Sequence, residues 1–140
     1  MAPAKPAASP DAVTRKVATQ ACAAMKNRVA AVAGTGPVLL RSYDAADGAK
    51  EIDMPALRTA AFTYDNALAV IALLGCGHRA EALRIGAALE RAALLDTRLR
   101  NTYREGPVGD KVLPNGWWDA AQNRWVEDGY QSGTATGNVA

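Results

Sequence analysis

The sequence predicts an all-α domain of helical hairpins joined by long irregular loops. Three observations carry that expectation. Residues Ala60 to Leu74 read as a helix that is apolar almost all round, with a polar head at Thr63-Tyr64-Asp65-Asn66. A helix of that kind is normally buried on most sides. A second, amphipathic stretch runs from Arg79 to about Leu95, separated from the first only by Gly75-Cys76-Gly77-His78. A connection that short makes two helices pack antiparallel as an αα-hairpin. The third observation is Ser9-Pro10-Asp11, a helix start with Ser as N-cap, Pro at the first helical position and an acid in the first turn.

Taken in order, Met1 to Pro10 is Ala/Pro-rich and reads as a flexible or polyproline-like linker, leaving residues 11–140 as the helical hairpin domain. The first helix should run to about Ala33 and stop at Gly34-Thr35-Gly36-Pro37. It is Ala-rich, with modest side chains, and so is expected on the outside. Val38 to Asp44 is short and extended in character, and Ala45 to Thr59 reads as an irregular loop. In the Arg79–Leu95 helix, Ala82, Ile85, Gly86, Leu89 and Ala93 form one stripe, while Glu81, Arg84, Ala88 and Arg91 face the other way. The helix from about Phe62 to Leu74 is then expected to be the buried member of the hairpin and this one its outer member. From Gly106 onward the chain is turn-rich and places all three tryptophans between Trp117 and Trp125.

Composition narrows the function classes. The chain has 140 residues, enough for one domain with a core, and a net charge of +2 with dispersed basic residues. Nucleic acid is therefore not an expected partner. No apolar run approaches a membrane span, the longest being Ala67 to Leu74. Cys22 and Cys76 each lie among small apolar residues and read as buried thiols rather than a bridge. A single histidine and no paired Cys or His spacing give no zinc signature. No cofactor is implied.

Two segments recur in the same order. Leu40-Arg41-Ser42-Tyr43-Asp44 is echoed by Leu99-Arg100-Asn101-Thr102-Tyr103, and Thr63-Tyr64-Asp65-Asn66-Ala67-Leu68-Ala69 by Ala135-Thr136-Gly137-Asn138-Val139-Ala140. The second echo stops where its helix should begin, so a truncated repeat protein is expected. With the Trp-rich loop, these segments make the chain from roughly Leu39 to Ala140 resemble bacterial six-hairpin (α/α) toroid proteins, which are glycoside-hydrolase-like. The resemblance implies an incomplete (α/α) toroid, whose inner helices point their N-termini and preceding loops at a central cleft. It also implies carboxylates and aromatics on those loops as sugar-binding and catalytic groups. The chain holds only the first hairpins, and by itself would be inactive.

Each candidate residue has two readings. Asp65 is a cleft carboxylate that binds or protonates a sugar, or a helix-start acid favoured by the macrodipole. Glu127 is the second carboxylate that glycoside hydrolysis needs, with Trp125 beside it to exclude water, or a solvated loop charge. Asp44, Asp119 and Asp128 are further loop acids with the same pair of readings. Tyr64 and Asn66 flank Asp65 at the helix head. Trp117, Trp118 and Trp125 are sugar-stacking platforms or anchors that pin a loop. Tyr43 and Tyr103 line a cleft or serve as pegs. Arg41 and Arg100 clamp a sugar acid or phosphate, or form salt bridges to neighbouring acids. The expected function is polysaccharide or oligosaccharide binding, with hydrolysis in a complete parent. The alternative is a non-catalytic tetratricopeptide-like scaffold for protein partners, since Gly77-His78-Arg79-Ala80-Glu81-Ala82-Leu83 resembles the turn and start of such a helix.

Overall fold

The first helix, α1, spans Ala12–Ala30 in the computed structural model, which describes residues 11–96 and 99–129. Asp11 is its N-cap, accepting a 2.7 Å bond from the Thr14 amide. The acid expected inside the first turn thus holds the capping position. The linker and the proposed cap at Ser9 lie outside the described residues. After the turn that contains Gly34, strand β1 (Val38–Leu39) is buried. The loop expected over Ala45 to Thr59 holds one 3-10 turn, Pro55–Leu57. Strand β2 (Ala60–Phe62) leads directly into α2 (Thr63–Gly75), and α3 (Arg79–Leu95) follows. Strands β3 (Thr102–Arg104), β4 (Gly106–Pro107), β5 (Gly116–Asp119) and β6 (Arg124–Glu127) complete the order.

The chain is mixed α/β, which corrects the all-α expectation. Of the described residues 44% are helical and 17% are in strands. The strands form three two-stranded antiparallel sheets: β1 with β4, β2 with β3, and β5 with β6. Each strand is only two to four residues long, so no period-2 run is available to announce it. The toroid is overturned by the same facts. Among the described residues there are three helices and one αα-hairpin, α2 with α3, packed on small sheets rather than on further hairpins. The two Leu-Arg segments are not successive repeat units either. Both bond to the β2–α2 junction: Ser42 N donates to Ala60 O, and Thr63 N donates to Asn101 O. The echo of the α2 head at Ala135 to Ala140 lies outside the described residues.

The core has two parts, and α3 joins them. Val29, Val38, Ala69, Leu73, Ala82 and Ile85 bring α1, β1, α2 and α3 together. Leu39, Ala61, Ala88, Ala92, Tyr103 and Val108 bring α3 onto β1, β2 and β3. The alanines let backbones approach closely, and Ala88 and Ala92 are buried where the sequence stripe placed Ala93. The rotation follows from α3 packing on two surfaces at once, where a single stripe assumes one. Two of its arginines reach outward to main chain. Arg84 donates to the carbonyls of Val29, Val32 and Gly36, which caps the C-terminus of α1. Arg91 donates to the carbonyls of Val108 and Gly109.

Cys22 and Cys76 form a disulfide, with Cα atoms 5.8 Å apart, which corrects their reading as buried thiols. The bridge ties the middle of α1 to the α2–α3 turn. It matters because α1 buries only Val29 fully. The outer position expected for α1 is what the structure shows. α2, however, is less enclosed than its composition implies. Tyr64, Leu68, Ile71 and Leu74 are 69%, 46%, 66% and 48% exposed. Among the described residues no helix is long and apolar enough to cross a membrane.

Candidate functional site

The polar head of α2 was the sharpest sequence candidate, and most of it is occupied in holding the fold. Asn66 is buried; its Oδ1 accepts from Leu40 N at 2.8 Å, and its Nδ2 donates to Leu40 O and Phe62 O, both at 3.0 Å. The amide thus behaves as one more strand residue beside Leu40. Thr63 does the same on the other segment, its hydroxyl donating to Arg100 O at 2.6 Å. Asp65 and Tyr64 are exposed. Asp65 lines a cavity of about 220 Å³ with Met25, Arg28, Leu40, Arg41, Ser42, Asn66 and Ala69. Glu127 is not among its walls.

Arg41 and Asp44 belong to an ion-pair network. Asp44 accepts from Arg28 at 2.6 Å and from Arg41 at 3.0 Å, while Arg41 lies 3.9 Å from Glu105. The hydrogen bond from Arg28, with the positive charge of Arg28 and Arg41 behind it, holds the Asp44 carboxyl below its ordinary range. This network ties the C-terminal part of α1 to the segment after β1. Tyr43 packs edge-on against Phe62, ring centroids 5.9 Å apart, as a half-exposed peg.

A second cluster surrounds Tyr103, which is buried. Its hydroxyl donates to Asp96 Oδ2 at 2.7 Å and accepts from Arg100 N at 3.0 Å. Burial pushes the phenol up to about 12, and the Asp96 partner adds to the shift. Arg100 bridges Asp96 at 3.4 Å and Glu127 at 3.6 Å, so Glu127 sits exposed at a strand edge beside a guanidinium. Asp128 is buried and accepts from Asn115 Nδ2 at 3.1 Å. Asp119 serves the β5–β6 turn, accepting from Ala121 N at 2.9 Å and Gln122 N at 3.1 Å. In that turn Asn123 has a φ of 49°, a left-handed conformation that Asn tolerates.

The tryptophans stand on a β-hairpin, where an irregular loop was expected. Trp118 pairs across the strands with Trp125, and Trp117 with Val126. Directly opposed residues share a face, so Trp118 and Trp125 are neighbours. Trp118 is 57% exposed, whereas Trp117 and Trp125 are half-buried. Gly116 makes the arrangement possible: a Cβ there would collide with the Val126 carbonyl oxygen and lie 2.5 Å from Trp125 Nε1.

The guanidinium of Arg104 stacks on Trp125, with Cζ 3.7 Å from the ring centroid. Among the described residues no carboxylate lies within ion-pair distance of it, and its Nε is buried without a hydrogen-bond partner. Burial lowers the pKa of this guanidinium. Two more buried polar atoms lack partners, Thr102 Oγ1 on the same strand β3 and Asn115 Oδ1 just before β5. The Tyr103–Pro114 bridge brings those strands together. The structure therefore joins an exposed indole and a half-buried indole on the β5–β6 hairpin with a stacked cation from β3.

Arg104 was missed from sequence. The signal was available in Thr102-Tyr103-Arg104, if it is taken as a strand. Tyr103 then turns into the core and its neighbours turn away from it. Comparison of the chain with protein-family models, with curated proteins and with solved structures finds no match.

Proposed function

We infer that this protein binds carbohydrate, and specifically oligosaccharides that carry carboxylates, at the β5–β6 hairpin. The observation that carries the reading is the Arg104–Trp125–Trp118 group. A pyranose ring presents an apolar face of C–H bonds that suits an exposed indole such as Trp118. A guanidinium held flat against a second indole keeps its in-plane donors for a planar acceptor, and a carboxylate takes two such bonds at once. Arg104 has no carboxylate partner of its own among the described residues, so an acidic sugar would supply the missing charge. Stacking on Trp125 fixes the cation before any ligand arrives and so limits the ordering cost of binding.

The test is a tryptophan fluorescence titration with oligogalacturonate and with a neutral oligosaccharide of equal length. Saturable quenching by the acidic ligand is expected. Trp118→Ala should weaken it about tenfold, the loss of about one ring contact. Arg104→Gln should erase the preference for the acidic ligand. No response to either ligand, or equal response of wild type and Arg104→Gln, would overturn the reading. The tetratricopeptide-type scaffold has a single αα-hairpin among the described residues on which to rest.

A further inference from the structure

We propose that the Cys22–Cys76 bridge is a thiol-exchange site, which a small anionic thiol of the glutathione type opens, remaining as a mixed disulfide on Cys76. The placement of the bridge carries the inference. Both cysteines are half-buried and line a cavity of about 510 Å³, together with Lys26 and His78. That volume falls in the range of small-molecule sites, roughly 300–1,000 Å³. Exposed disulfides are the more readily exchanged ones.

The local sequence keeps the sulfurs reachable. Cys76 stands between Gly75 and Gly77, and at both glycines the space a side chain would take is open. The φ of Gly77 is 78°, so the turn itself requires glycine there. Gly75 is helical and has no such need; its effect is to leave one flank of Cys76 bare. On α1, Ala18 and Ala23 beside Cys22 are small and exposed. Lys26 follows Cys22 by one turn on the same face of α1. Among the described residues that line the cavity, Lys26 is the one permanent charge and none is acidic. His78 brings a ring N–H donor. The cavity therefore suits a thiol that carries carboxylates.

The step is an exchange that consumes no oxidant or reductant. The incoming thiol loses its proton to solvent, and its thiolate attacks Sγ of Cys76. The new S–S bond forms there as the Cys22–Cys76 bond breaks, and the electron pair leaves with Sγ of Cys22, which then takes up a proton. Departure is faster when the leaving thiolate is stabilised, and the Lys26 ammonium stands one turn away. The released end is also free to move off. α1 buries only Val29 fully, so the segment that carries Cys22 is not held beside Cys76 once the bond is cut. The reverse attack then loses its proximity, and the mixed disulfide persists. The bridge becomes a latch on α1 that responds to the level of small thiols. It involves neither Trp118 nor Arg104 and is independent of the carbohydrate reading.

The test treats the oxidised chain with reduced glutathione, quenches it with an alkylating reagent at a series of times and maps the products by peptide mass. A glutathione adduct on Cys76, with Cys22 alkylated, is expected. Glutathione diethyl ester is the same thiol without free carboxylates. It should open the bridge about fivefold more slowly at low salt and equal thiolate concentration. Lys26→Gln should remove that difference, and Lys26→Arg should keep it. Lys26 is exposed, so both variants should fold, which circular dichroism checks. A bridge that glutathione leaves intact, a dithiol with no adduct trapped at any time, or an adduct on Cys22 would overturn the proposal. So would equal rates for the two thiols, or a Lys26→Gln chain that keeps the preference.

Discussion

Reducing the Cys22–Cys76 bridge is the perturbation whose size follows most directly from the structure. The bridge closes a separation of 54 residues. In the chain-entropy model a loop of that length removes about 14 cal/mol/K from the unfolded ensemble, or about 4 kcal/mol at 25 °C. That is a large share of the roughly 5–15 kcal/mol that stabilises a typical domain. Little else anchors the outer two-thirds of α1. Val29 is its one fully buried residue, Met25 is partly packed, and the Arg84 bonds grip only its C-terminal end. The assay is urea unfolding followed by circular dichroism, with and without a phosphine reductant, and with Cys22→Ser/Cys76→Ser as the permanent equivalent. Stability should fall by about 4 kcal/mol, less whatever α1 recovers by fraying free of the core. Hydrogen exchange should then accelerate between Ala12 and Ala24, while the Val29 end stays protected. A reduced protein within about 1 kcal/mol of the oxidised one, with unchanged exchange in α1, would refute the reasoning. The bridge also indicates an oxidising setting for the folded chain.

Three further outcomes are expected. Gly116→Ala should cost about 3 kcal/mol, because its methyl meets backbone and indole that cannot both give way; tryptophan emission should shift red as Trp125 loses its packing. Asn66→Ala removes three hydrogen bonds and leaves the half-buried Leu40 amide unpaired, so urea unfolding should show a loss of about 2–3 kcal/mol. The Tyr103 phenol titrates higher folded than unfolded, so its contribution is complete below pH 10 and is lost as pH rises toward 12. The wild type should therefore lose about 2 kcal/mol over that interval, and Tyr103→Phe should lack that loss.

The helices were legible and the strands were not, for one physical reason. α2 is a 13-residue helix read from a long apolar run and α3 a 17-residue helix read from an amphipathic stripe, and the sequence placed each within a residue or so. Strands such as Val38–Leu39 and Gly106–Pro107 are too short to show alternation, and exist because tertiary contacts pair them. The β5–β6 hairpin hid behind its glycine and tryptophans, which read equally as loop. At the candidate site, Trp118 was singled out in the sequence by its residue type. The bonds of Asn66 were not legible because a buried amide and a ligand-facing amide look the same in sequence. Its true role needed the position of Leu40, 26 residues away. The cysteines had the same difficulty, since proximity across 54 residues is not written locally.

The long-range polar contacts have a consequence for how the chain can change. Thr63, Asn66, Arg84 and Arg91 all reach across the fold, and what they hold is main chain: Arg100, Leu40, Val29, Val32, Gly36, Val108 and Gly109 each contribute a carbonyl or amide. A peptide group is the same whatever side chain hangs from it. Drift should therefore be lopsided. The four holders cannot change type without stranding buried partners, whereas the held positions are free of that bond's demands and answer only to their own packing. Leu40 can become Ile or Val and Asn66 will still bind it; Asn66 has no comparable substitute.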